Sequence, residues 1–143
     1  MSSDFLRNVW LFTALSEDQL DAISNFTFQT KFAAGDLIVE EGQTGNGLYV
    51  IVSGNVEAVK GYGTGNARVV NKLAVGEVFG EMALLGEWPR TATVRAVTDV
   101  ECLGIDRWVF LSQLERDPQV GIKMLQVLAQ RLKDSDTRLM ELG

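Results

Sequence analysis

The order of patterns along this sequence predicts a mainly β fold with flanking helices. The expected form is a β-roll, a jelly-roll-like barrel with an N-terminal helical segment and C-terminal helices. The first observation is that brief apolar runs between residues 28 and 107 are broken by glycine every few positions, the rhythm of short strands joined by turns. The second is a helix-start signal ahead of that region, and the third is a change to helical spacing behind it. At 143 residues and 46% hydrophobic content, the chain suits one compact unit with a sizeable core. We divide it as a single domain, 1–143, with a helical segment at 1–27, the roll at 28–107, and a hinge with C-terminal helices at 108–143.

Taken in order, Phe5, Val9, Trp10 and Phe12 form an apolar turn. Ser16-Glu17-Asp18-Gln19 then reads as a capping box opening a short helix with Leu20 and Ile23 facing inward. The strand-like runs are Asp36 to Glu40, Gly47 to Ser53, Asn55 to Lys60, Arg68 to Leu73, Ala92 to Val97 and Glu101 to Asp106. Gly61 to Asn66 is a flexible hairpin loop, since it lacks the Lys-Ser/Thr ending and following helix of a phosphate loop. Trp108 to Glu115 forms a short helix stopped by Asp117-Pro118, and Gln119 to Met140 a longer one. In that helix Leu125, Leu128, Leu132, Ser135, Leu139 and Leu142 follow steps of three and four. Such spacing suits either a coiled-coil seam between two chains or a helix packed back on its own barrel.

Composition excludes several classes. The net charge of −6, with scattered Lys and Arg, argues against direct nucleic-acid binding. Without histidine and with one cysteine, Cys102, the usual zinc sites and the usual general base are missing, so no enzyme, metal or cofactor is expected. Cys102 stands in an alternating apolar segment and reads as a small buried hydrophobe. No apolar stretch is long enough to span a membrane and Met1 to Phe5 does not resemble a secretory signal, so a reducing cytoplasmic setting is expected.

The most informative stretch runs from Gly76 to Val94. Gly80 lets the backbone bend and approach a ligand, and Glu81 to Leu85 can coil into a turn whose opening amides seat an anion. Arg90, just past the corner at Pro89, offers a planar fork to two phosphate oxygens. Glu81 would repel a bare phosphate, but it suits a site that also accepts a ribose hydroxyl. Trp88 is either a lip of that pocket or a plain surface aromatic.

Phe79-Gly80-Glu81-Met82-Ala83-Leu84 followed by Pro89-Arg90-Thr91-Ala92-Thr93-Val94 resembles the phosphate-binding cassette of cyclic nucleotide-binding domains, here spanning 79–94. Gly35-Asp36, Glu41-Gly42 and Leu48 to Val56 resemble the early strands of the same family, so the likeness covers nearly the whole chain. It implies that Glu81 takes the ribose 2′-hydroxyl and Arg90 the cyclic phosphate, with backbone amides near Gly80, Ala83 and Ala92 completing the cradle. Phe79, Met82 and Thr91 join that ligand-binding set. By comparison with the catabolite activator type of receptor, which pairs through the corresponding helix, Ser135 is a candidate base contact and Asp136 a weaker one. Thr91 does not choose between nucleotides, because cGMP-preferring members and bacterial cAMP receptors both carry a hydroxyl there; cAMP is favoured and cGMP is second.

The resemblance implies a sensor whose output is the position of the C-terminal helix, acting through a homodimer or an effector domain. The alternative is a protein-interaction module whose pocket is vestigial. A phosphodiesterase would need a metal-ligand cluster that the sequence lacks. The stretch after Gln119 is too short for a helix-turn-helix, so the sequence reads either as a small sensor or as a piece of a channel, kinase regulator or other receptor.

Overall fold

The computed structural model describes residues 2–142, with side chains described for residues 4–137. Helix α1 (Ser2–Leu6), a 3-10 turn (Trp10–Phe12) and helix α2 (Glu17–Ser24) precede eight strands: β1 (Phe28–Phe32), β2 (Leu37–Val39), β3 (Gly47–Ser53), β4 (Val56–Lys60), β5 (Arg68–Leu73), β6 (Val78–Phe79), β7 (Thr93–Ala96) and β8 (Val100–Asp106). A second 3-10 turn (Glu81–Leu84) lies between β6 and β7, and helices α3 (Arg107–Arg116) and α4 (Pro118–Leu142) follow. The strands form two four-stranded sheets, ordered β1-β8-β3-β6 and β2-β7-β4-β5, in which every pairing is antiparallel.

The six strands expected from alternation are present. The two without such a run, β1 and β6, owe their form to partners. Strand β1 lies at a sheet edge against β8, so Gln29, Thr30 and Lys31 break its apolar pattern at little cost. The two-residue β6 is extended because Tyr49 and Val50 of β3 pair with it.

Strand β3 is apolar from Leu48 to Val52 because both its faces are covered there. Leu48 and Val50 point to a core built with Leu6, Phe12, Leu20, Ile23, Phe110, Val120 and Met124 from the helices. Tyr49 and Ile51 point the other way, into a core between the sheets with Val56, Phe79, Val94 and Cys102. Strand β8 divides likewise, Leu103 and Ile105 toward the helices and Cys102 toward the sandwich. Cys102 is fully buried, and that burial pushes its thiol up to about 11.

The capping box of α2 is formed: Gln19 N–H donates to Ser16 Oγ at 3.2 Å, and Ser16 N–H donates to Gln19 Oε1 at 3.0 Å. Asp106 caps α3, its carboxylate accepting from the amides of Trp108 (2.9 Å) and Val109 (3.2 Å). Asp117 ends α3 and Pro118 begins α4, where its missing N–H costs nothing.

The leucine row of α4 is split. Val120 and Met124 are buried and Leu128 packs partly against the helical core, whereas Leu125 and Leu132 are each 65% exposed. The helix thus packs on its own barrel through Val120, Met124 and Leu128, a face that the leucine spacing did not reveal. The side chains of Leu139 and Leu142 lie outside the described residues.

Candidate functional site

The site begins at the corner between β6 and the 3-10 turn. Gly80 has φ of 80°, a left-handed conformation that L side chains rarely adopt. A Cβ there would also stand 2.1 Å from Arg90 Nη1 and 2.9 Å from the Gly47 carbonyl oxygen. A Cβ at Gly45 would lie 2.4 Å from Arg90 Nε. The Arg90 guanidinium is therefore threaded through a slot that only glycine at 45 and 80 leaves open, and it donates to the Gly47 carbonyl at 2.9 Å.

Backbone bonds hold the arginine's own segment in place. Gly42 N–H donates to the Arg90 carbonyl at 2.9 Å, Arg90 N–H donates to that of Gln43 at 2.8 Å, and Thr44 bridges to Pro89. Thr93, nearly fully buried, accepts from Glu41 N–H at 3.0 Å. Burial draws the Arg90 pKa below its ordinary value, while Tyr49 and Glu81 draw it back up. Burial raises the phenol of Tyr49, and the Arg90 charge works against that rise.

Arg90 and Glu81 share the wall of an inner cavity of about 230 Å³, with Phe79, Gly80, Thr91 and Ala92 among its lining. An open outer recess of about 630 Å³ continues from it past Met82, Trp88 and Pro89. Seven expected residues thus converge: Phe79, Gly80, Glu81, Met82, Arg90, Thr91 and Ala92 all line one cavity or both. Phe79 is 7% exposed and stacks on Tyr49 at 5.3 Å, so it forms wall and core at once. Met82 lies half-exposed at the mouth.

Two expectations fare differently. Ala83 is buried and its N–H donates to the Gly80 carbonyl at 3.0 Å, so that amide already has a partner within the turn. Ser135 is exposed on α4 and lines neither cavity; Asp136 is exposed beside it. Trp88 lines the outer recess as a lip. It lies close against Gly86, where a Cβ would come within 2.4 Å of its ring.

Sequence reasoning passed over Gly45 and the role of Gly47, although the Gly45-Asn46-Gly47 spacing at the entry to β3 was the available signal. It also passed over Asn71, which shares one strand face and the inner cavity with Leu73. Trp10 gave no signal: its indole N–H reaches Glu81 Oε1 at 3.4 Å across 71 residues of sequence. The cassette is further tied to α3, since Arg107 donates to Glu87 at 3.0 Å.

The comparisons with known proteins identify the family. Residues 29–117 match the model of the cyclic nucleotide-binding domain, and the chain belongs to that family. It is 33% identical over 129 residues to the cyclic AMP receptor protein of Thermus thermophilus, covering 90% of this chain and 60% of that protein. It is also 33% identical over 135 residues to a cGMP-dependent protein kinase of Plasmodium berghei, covering 94% of this chain but 14% of the kinase. Among solved structures, the N-terminal domain of a transcriptional regulator from Streptomyces coelicolor superposes with a TM-score of 0.88 at 29% identity, covering 95% of both chains. The chain therefore spans less than two thirds of the length of the first two proteins. Among the described residues, no helix is long and apolar enough to cross a membrane.

Proposed function

We propose that this chain binds a 3′,5′-cyclic nucleotide, cAMP ahead of cGMP, and signals by the position of α4 rather than by chemistry. The observation that carries this reading is the meeting of Arg90 and Glu81 on one cavity wall, the cation fixed by a glycine slot and the carboxylate beside it. A fixed guanidinium suits the single negative charge of a cyclic phosphate. A neighbouring acceptor suits the ribose 2′-hydroxyl. Thr91 and Met82 line the outer recess, which supports their contact with the ligand. The names of the relatives support both nucleotides, one a cyclic AMP receptor and one a cGMP-dependent kinase.

Coupling to α4 runs through α3. Arg107, at the start of α3, grips Glu87 of the cassette, and Phe110 on the same helix shares the core with Val120 and Met124 of α4. A ligand that reshapes the cassette favours one packing of these helices, by as much as its affinities for the two packings differ. Ser135 reaches a base only if α4 moves or a second copy supplies it. A cytoplasmic setting fits such a receptor.

A second reading has its own observation. Ile122, Leu125 and Leu132 leave apolar surface on α4 that suits a protein partner or a second copy, with the pocket vestigial. Titration calorimetry of refolded, ligand-free chain with cAMP and cGMP decides between them. Heat of binding that disappears in Arg90→Ala supports the sensor, and silence with both nucleotides from folded protein supports the interaction module.

A further inference from the structure

Trp10 and Arg131 both lie outside residues 29–117, the part of the chain that matches the family, yet Trp10 reaches the cassette and Arg131 reaches Trp10. Trp10 Nε1 donates to Glu81 Oε1 at 3.4 Å, and Arg131 of α4 holds its guanidinium 4.0 Å from the centre of the same indole ring. An indole N–H can only donate, so its aim at a carboxylate oxygen is specific. The ring is partly buried against the helical core, and the backbone of Trp10 is tied locally, its carbonyl accepting from Thr13 Oγ1 at 3.0 Å.

Glu81 needs such help. It opens a four-residue 3-10 turn directly after the left-handed Gly80, and its side chain has several rotatable bonds and only partial burial. A freely rotating carboxylate presents an oxygen to a ligand only part of the time. Holding one oxygen leaves the other for a ligand hydroxyl.

We propose that Trp10 is a positioning residue for Glu81: its indole N–H holds one carboxylate oxygen so that the other meets the ribose 2′-hydroxyl, while Arg131 on α4 clamps the indole by its face. The inference rests on the cyclic-nucleotide reading and adds a determinant of sugar specificity to it. At 3.4 Å the contact is long and has room to shorten when a hydroxyl draws the carboxylate into place.

The test is calorimetric titration of the full chain with a 3′,5′-cyclic ribonucleotide and its 2′-deoxy counterpart, on wild type, Trp10→Phe and Arg131→Met. Wild type is expected to prefer the ribonucleotide. Trp10→Phe keeps a ring for Arg131 but has no N–H, and is expected to weaken ribonucleotide binding by about threefold to tenfold, the scale of one hydrogen bond. Affinity for the 2′-deoxy compound stays unchanged, so the preference narrows. A merely structural role for Trp10 would weaken both ligands equally, and that result, or no change in either, overturns the proposal. If Trp10→Phe does not fold, the exposed Arg131→Met decides: a narrowed preference supports the clamp and an unchanged one overturns it. A wild type that binds both ligands equally removes the Glu81 contact and this inference alone. One that binds neither removes the nucleotide reading itself.

Discussion

The cassette and the terminal helix are built on opposite principles. Around Arg90 the backbone closes so tightly that a single added methyl at Gly45 or Gly80 collides with the guanidinium. Along α4 the hold on the barrel is concentrated in Val120 and Met124, and beyond them Leu125 and Leu132 stand two-thirds exposed. Arg131 rests its guanidinium on the face of one indole. The difference teaches where preorganisation is needed. The proposed function needs both: a charge that is to meet a ligand is best fixed in advance, and a helix whose position is to carry the signal is best left with much of its length lightly held.

Substitutions can break or sharpen this contrast. Arg90→Ala removes the fixed charge and should cost about 2–5 kcal/mol of nucleotide binding, roughly 30-fold to several thousandfold, read by calorimetry. The fold should survive, because the slot it leaves is lined largely by backbone. Met124→Ala tests the attached end of α4. A cavity at this 3% exposed position should lower unfolding stability by about 2–3 kcal/mol in urea, with binding by the folded fraction little changed. Gly80→Ala attacks the slot itself, forcing a left-handed alanine at a cost of about 1–2 kcal/mol in stability. It should also displace Arg90, visible as weaker binding despite an intact arginine. Leu132→Asn, at the free end, should move stability by no more than about 0.5 kcal/mol. If the exposed leucines pair two copies, sedimentation will show that the same change weakens self-association.

How much could be read from the sequence follows the same division. The six alternating strands, the α2 capping box and the cassette residues were legible because each depends on neighbours in sequence: period two, a cap three residues away, a glycine beside its bend. Strands β1 and β6 were not, since pairing with β8 and β3 makes them extended. The inward face of α4 was hidden for a related reason. Leucine spacing marks an apolar stripe without saying which part of it the barrel claims, and Val120 and Met124 took that place. Trp10 beside Glu81 and Gly45 beside Arg90 join residues far apart in sequence; nothing local marks the first, and for the second the glycine spacing marks the loop but not its partner.

The chain's single sulfhydryl has a practical consequence. Cys102 is shut between the sheets with no exposed surface, and its ionisation is pushed up to about 11, so it stays protonated and out of reach of maleimides at neutral pH. A cysteine introduced at Leu132 then becomes the one thiol that reacts. A dye attached there tests whether the terminal helix moves when a nucleotide is added, on a native background, with no need to engineer the original cysteine away.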